Sequence, residues 1–166
     1  NNQVYVTHAV PIQWKYRTMT DYTTQFKQYF LNHRSSNNLI LGFSFGAMIA
    51  YITAPTTQPD HLYLCSLSPY FSQDLPHLKK SHRQSIGKRR LNDLKDISPT
   101  RIAAKINTAT TIFYGAAEAE KYSTLKQRCI KAHHQIPNSQ LIQIKDAPHQ
   151  LDHPEYISAL KKNIIK

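Results

Sequence analysis

The residues Gly42-Phe43-Ser44-Phe45-Gly46 place a serine between two glycines, where an apolar run gives way to a second, differently patterned one. The first run, Leu39-Ile40-Leu41, is too hydrophobic for an exposed strand and predicts a buried parallel one. The second, Phe45 to Thr53, carries small and apolar residues on every face, as a helix packed on a sheet does. A serine in such a strand-to-helix turn is held in a strained conformation that pushes its hydroxyl out of the sheet, and flanking glycines leave room for the chain to double back. The helix behind it presents free amide groups to negative charge. That arrangement suits nucleophilic attack; the plain alternative is a glycine-containing turn with an incidental serine. Serine at its free pKa is a poor nucleophile, so the chemistry also needs a histidine within reach and a carboxylate to orient it.

Sites in parallel sheets form at the carboxyl ends of the strands, so both partners are sought in the loops that follow later strands. His149 lies in Lys145-Asp146-Ala147-Pro148-His149, after the predicted strand Gln140 to Ile144. Glu118 lies in the loop Gly115-Ala116-Ala117-Glu118, after the predicted strand Thr110 to Tyr114. Glu120 is a reserve for the acid, and Asp146 a weaker one because it belongs to the histidine's own loop. No metal is expected. His149 and His153, with Asp152 between them, fall short of the three or four ligands zinc needs, and Pro154 spoils their helical spacing.

The elements that must position these residues follow from periodicity and punctuation. Val4 to Val10, ended by Pro11, predicts a first strand. Tyr22, Phe26, Tyr29 and Phe30 recur at helical spacing in Thr20 to Leu31, with Asp21 at the helix start. Pro55 stops the helix after Ser44, and His61 to Leu67 is the next strand. Pro69 to Ile97 breaks the rhythm and is rich in Lys and Arg, which reads as a helical insertion standing off the sheet. Ser98-Pro99 caps a short helix through Ile102 to Lys105. Glu120 to His134 and Pro154 to Ile165 close the set as helices. Strand and helix alternate with no hairpin signal, so the fold class is α/β: a mostly parallel sheet with helices on both faces. Residues 1–166 form a single domain, with the basic helical insertion at about 69–97.

The order Ser, Glu, His and the strings GFSFG, FYGAAE and DAPHQLDHPEY resemble the α/β-hydrolase superfamily over nearly the whole chain, from about Val4. The resemblance implies that Ser44 attacks an acyl carbonyl, His149 takes and returns the proton, Glu118 holds the imidazole tautomer and the Phe45 amide is one oxyanion donor. It implies ester or thioester hydrolysis of a small-molecule acyl substrate without cofactor, or acyl transfer by the same triad. It makes the 69–97 insertion a lid, whose Lys and Arg could hold a phosphate-bearing or carboxylate-bearing substrate. Phe43, Tyr70 and Phe71 could wall an acyl pocket, although aromatics at such positions are more often plain core. The family has several strands before the elbow, whereas 43 residues precede Ser44, enough for one strand and one helix. The resemblance therefore implies a further strand between Val4–Val10 and Leu39–Phe43. The vacancy would be filled by upstream residues, by a second copy of the chain in a homo-oligomer, or by Val4–Val10 itself, with Thr7-His8-Ala9 near the oxyanion.

Composition bounds the remaining readings. A chain of 166 residues buries roughly two-thirds of its unfolded surface, and its two cysteines, Cys65 and Cys129, sit in apolar patterns without metal-type pairing. The default is a cytoplasmic protein with no membrane span. With 21 Lys plus Arg against 10 Asp plus Glu, the formal charge of +11 favours an anionic partner without identifying one. A third reading is thus a non-catalytic hydrolase-like protein that binds an acidic partner through its basic face. No specific nucleic-acid motif accompanies the charge.

Overall fold

Four short runs, each followed or preceded by a helix-forming stretch, make the sheet of this protein, whose computed structural model describes residues 5–164. They are β1 (Leu39–Phe43), β2 (His61–Cys65), β3 (Thr110–Gly115) and β4 (Ser139–Ile144), in the order β1-β2-β3-β4. Every pairing is parallel, with Phe43 opposite Cys65, Cys65 opposite Phe113 and Gly115 opposite Ile144. The helices are α1 (Met19–His33), α2 (Phe45–Thr57), α3 (Lys80–Ile86), α4 (Lys88–Leu94), α5 (Pro99–Ala103), α6 (Ala116–Lys121), α7 (Ser123–Gln135) and α8 (Pro154–Ile164).

The two-residue period of a strand divides the sheet's side chains between two cores. Leu62 and Leu64 of β2 join Ile40 and Ile112 in the larger one, which α1, α2, α5 and α7 cover. Tyr63 and Cys65 point the other way with Phe113 and Ile144, against Tyr156 and Leu160 of α8. Helices on both faces and an all-parallel sheet are the expected architecture. Among the described residues no helix is long and apolar enough to cross a membrane.

Several expected elements differ. Val4 lies outside the described residues, and Tyr5 to Val10 is not a strand: it makes no ladder, and Val6 is 81% exposed. Strand preference is largely the fit of a side chain to a pleated, half-buried surface, and Tyr5 to Ala9 are exposed. His8 packs instead on Tyr29 and His33, in the last turns of α1, with ring centroids 6.3 and 5.3 Å away. Those turns lead into the amino end of β1, so Thr7-His8-Ala9 does not approach Ser44 at the opposite end. β1 is an edge strand: among the described residues no strand pairs with its outer side, and Leu41 is 41% exposed.

Pro55 does not stop α2 but lies inside it. Within the last turn a proline forfeits a single helix bond, and the end comes at Gln58, whose left-handed backbone (φ 44°) lets its N–H donate to the Ala54 carbonyl. β2 ends at Cys65 rather than Leu67, because Ser66 turns to φ 51°. The 69–97 segment is helical as expected, but Gly87 (φ 83°) divides it into α3 and α4. α5 ends at Ala103 rather than Lys105. The helix expected from Glu120 begins earlier, as α6, and breaks at Tyr122 before α7.

Candidate active site

Ser44 stands between β1 and α2 at φ 56° and ψ −117°, a conformation that costs an L-residue about 1–3 kcal/mol and persists only where the surroundings enforce it. Backbone bonds enforce it from both sides. The Ser44 N–H donates to the Cys65 carbonyl (2.9 Å), and its own carbonyl accepts from Ala47 (3.0 Å) and Met48 (3.2 Å). A Cβ on Gly42 would fall on the Gly46 carbonyl oxygen and within 2.7 Å of the Ala47 Cα, so glycine is required there for α2 to cross β1 closely. Gly46 carries no such demand, since nothing lies within 4 Å of its Cβ position.

The structure brings Ser44, Glu118 and His149 together. His149 Nε2 lies 3.1 Å from Ser44 Oγ, and His149 Nδ1 lies 2.7 Å from Glu118 Oε2. The carboxylate accepts, so Nδ1 carries the ring proton and Nε2 faces the serine as an acceptor. The imidazole is one-third exposed while the Glu118 side chain is wholly buried. Phe43 packs on one side of the ring, with centroids 4.8 Å apart, and Tyr122 lies 6.3 Å away edge-on.

Glu118 is held more firmly than a loop residue would be, because its segment is the first turn of α6. Its Oε1 accepts from the Gly115 N–H (2.6 Å), which satisfies an amide at the helix start. The same oxygen accepts from Ser66 Oγ (2.7 Å), and Ser66 Oγ lies 2.6 Å from the Tyr156 hydroxyl on α8. Burial drives the Tyr156 phenol far above its ordinary pKa, so that hydroxyl stays a donor, and the order Tyr156 to Ser66 to Glu118 satisfies all three groups. The Ser66 N–H donates to the Phe113 carbonyl (2.8 Å), which continues the ladder beyond β2 and fixes the left-handed Ser66 backbone.

Ser68, buried two residues further on, places its Oγ 3.1 Å from Ser44 Oγ. Sequence reasoning missed Ser66, Ser68 and Tyr156. The strand-end rule that singled out Glu118 and His149 applies equally to the first two, whereas nothing in the pattern of α8 marks Tyr156.

Phe45 begins α2, where its amide has no intrahelical acceptor, and its ring stacks on Tyr70 at 5.2 Å and 11°. Phe43 lies on the other side of the sheet, against His149 and Tyr156. Phe71 is fully buried between Tyr51 and the Arg128 guanidinium, so it is core. Glu120 and Asp146 are exposed, Asp146 holding a turn at φ 55°, and the carboxylate on the His149 ring is that of Glu118. Among the described residues no group of three or more His, Cys, Asp or Glu side chains converges as a metal site would. Both cysteines are free and buried; burial pushes the Cys129 thiol up to about 12 and raises Cys65 as well, so neither is an activated thiolate.

No known protein family and no curated protein matches the chain in sequence. Solved structures do match in fold. Est1E from Butyrivibrio proteoclasticus, also known with ferulic acid bound, is 14% identical at a TM-score of 0.70, over 89% of this chain and 70% of that one. A thioesterase domain from the curacin biosynthetic pathway is 15% identical at 0.63, over 90% of this chain and 74% of that one. MenH from S. aureus is 16% identical at 0.63, over 95% of this chain and 78% of that one.

Proposed function

We propose that this chain, whose fold is that of the α/β-hydrolases, is a serine hydrolase that cleaves an ester or thioester through an acyl-enzyme. One observation carries the reading: a serine hydroxyl, an imidazole and a buried carboxylate in line, at 3.1 and 2.7 Å, at the carboxyl end of a parallel sheet. Ser44 Oγ attacks the acyl carbonyl as its proton passes to His149 Nε2, and Glu118 stabilises the imidazolium that forms. The alkoxide or thiolate leaves with that proton. His149 then deprotonates a water that attacks the acyl-enzyme, returning the proton to Ser44 Oγ as the acid is released. The Phe45 N–H receives the carbonyl oxygen as it becomes negative; losing one such donor typically costs on the order of 10²-fold in rate. The 69–97 helices act as the lid.

A fluorophosphonate probe tests the reading without knowledge of the natural substrate. It should label Ser44, and Ser44→Ala should abolish labelling while the thermal transition is retained. A folded wild-type protein that resists the probe would sink the proposal. If an added alcohol or thiol competes with water for the acyl group, the same triad serves acyl transfer instead.

A further inference from the structure

We propose that the cavity behind Phe45 takes a short acyl group ending in a carboxylate, and that Arg90 recognises that end; the inference rests on the serine-hydrolase reading above. The cavity, of about 200 Å³, lies between α1, the α3–α4 pair and the flank of Ser44, and is lined in part by Met19, Tyr22, Phe45, Tyr70, Ile86 and Arg90. Two of its lining residues lie next to the site along the chain. Phe45 follows Ser44 directly, and Tyr70 lies two residues past Ser68, whose hydroxyl is 3.1 Å from that of Ser44. The Phe45 and Tyr70 rings stack on each other in the cavity lining, and the proposed path of the acyl chain runs from Ser44 past them into it.

Size sets the first constraint. An apolar cavity of about 150 Å³ holds one benzene ring, so this one holds a single ring or a short chain and excludes a long alkyl tail. Charge sets the second. Among the described residues, Arg90 is the only charged side chain in the lining. Its Nε donates to the Arg17 carbonyl (3.0 Å) and its Nη2 to the Trp14 carbonyl (3.2 Å). Those bonds orient the guanidinium without neutralising it, and they use two of its five N–H donors. The acids on the neighbouring helices are directed elsewhere: Asp21 accepts from the Thr18 N–H (2.8 Å) and Asp93 from the Thr20 N–H (2.9 Å). A fixed guanidinium in the lining of the cavity, with no carboxylate in ion-pair contact among the described residues, favours a planar anion that can accept two bonds from its fork. Lys79, Lys80, Arg83, Lys88, Arg89 and Lys95 are its neighbours in sequence and make this segment strongly basic, which favours the approach of anions.

Three esters of one leaving group test this: mono-p-nitrophenyl glutarate, p-nitrophenyl butyrate and p-nitrophenyl dodecanoate. The glutarate should exceed the butyrate in kcat/KM by about tenfold or more, the scale of a charged hydrogen bond, and the dodecanoate should be the poorest. Arg90→Gln should remove the glutarate preference, and Arg90→Lys, which keeps the charge, should restore part of it. Equal rates for glutarate and butyrate, or a preference that survives Arg90→Gln, overturns the inference. Binding without turnover keeps it testable on its own. In Ser44→Ala, calorimetric titration should find monomethyl glutarate bound more tightly than methyl butyrate, and equal affinities refute the cavity's role whatever the serine does. Labelled Ser44 with no glutarate preference defeats this inference alone, whereas an unlabelled serine defeats the hydrolase reading.

Discussion

Glu118 performs two tasks with its two oxygens, and the division has consequences for substitution. Oε2 faces the imidazole, while Oε1 ends the path from Tyr156 through Ser66 and caps the first turn of α6. Glu118→Gln keeps the shape but removes the negative charge facing the ring; under the proposed mechanism kcat should fall by about 10⁴-fold, the scale seen when a triad acid becomes an amide. Glu120→Gln, at an exposed position, should change kcat little. Steady-state kinetics of the two variants on one activated ester decide the matter, and reversal of the effects moves the acid's role to Glu120. Ser44, His149 and the acid Glu118, with Glu120 and Asp146 as lesser candidates, were named from type and position. What the sequence could not show is that Glu118 is buried and Glu120 exposed, because that depends on which face of one helical turn folds inward.

The elbow and the histidine loop are built on close approaches that only two of the glycines serve. A methyl at Gly42 meets the backbone of α2, and one at Gly115 meets the Ala147 carbonyl oxygen, at the base of the loop that carries His149. Gly42→Ala should therefore destabilise by at least about 1–3 kcal/mol as α2 is pushed off β1. Gly115→Ala should slow fluorophosphonate labelling more than it lowers Tm, since its strain falls on the loop two residues from the imidazole. Gly46→Ala should do neither, and should stabilise α2 by about 0.5–1 kcal/mol, the usual cost of glycine within a helix. Melting curves and labelling rates of the three variants check this, and loss of labelling in Gly46→Ala would show that the turn needs both flanking glycines. The G-x-S-x-G pattern marks the element correctly without telling which glycine is indispensable.

Across the whole molecule, one ion pair joins regions that the sheet does not. Arg128 of α7 is completely buried, and Asp74, at the start of the 69–97 helical segment, holds its Nε at 2.9 Å and Nη2 at 2.5 Å. The Phe71 ring lies 5.3 Å from the guanidinium, and Nη1 has no partner among the described residues. Asp74→Ala strands a buried charge and should cost roughly 3–5 kcal/mol, a Tm loss on the order of 10 °C for a domain of this size. Asp96→Ala, at an exposed position, should stay within about 0.5 kcal/mol. Replacing both partners, Asp74→Leu with Arg128→Met, should recover most of the loss, because apolar side chains carry no desolvation penalty. A double variant no more stable than Asp74→Ala would show that the pair does more than neutralise a buried charge. Sequence reading assigned Arg128 no role at all, since a buried arginine within a helical pattern resembles an exposed one.

The chain's own order of residues determined the alternation of strand and helix, the parallel sheet and the turn at Ser44, because each rests on local periodicity and on the shortness of connections. It also determined that Glu118 and His149 follow strands whose carboxyl ends lie in one row. Tertiary structure alone decided the rest. Val4–Val10 reads as a strand, but among the described residues Tyr5 to Val10 pairs with no other strand, and pairing is not a property of a segment by itself. Ser66, Ser68 and Tyr156 acquire meaning only where β2 and α8 meet over the carboxylate and the serine. Whether a polar side chain supports a site or faces water is settled by what folds over it, and that comes from residues far away in the sequence.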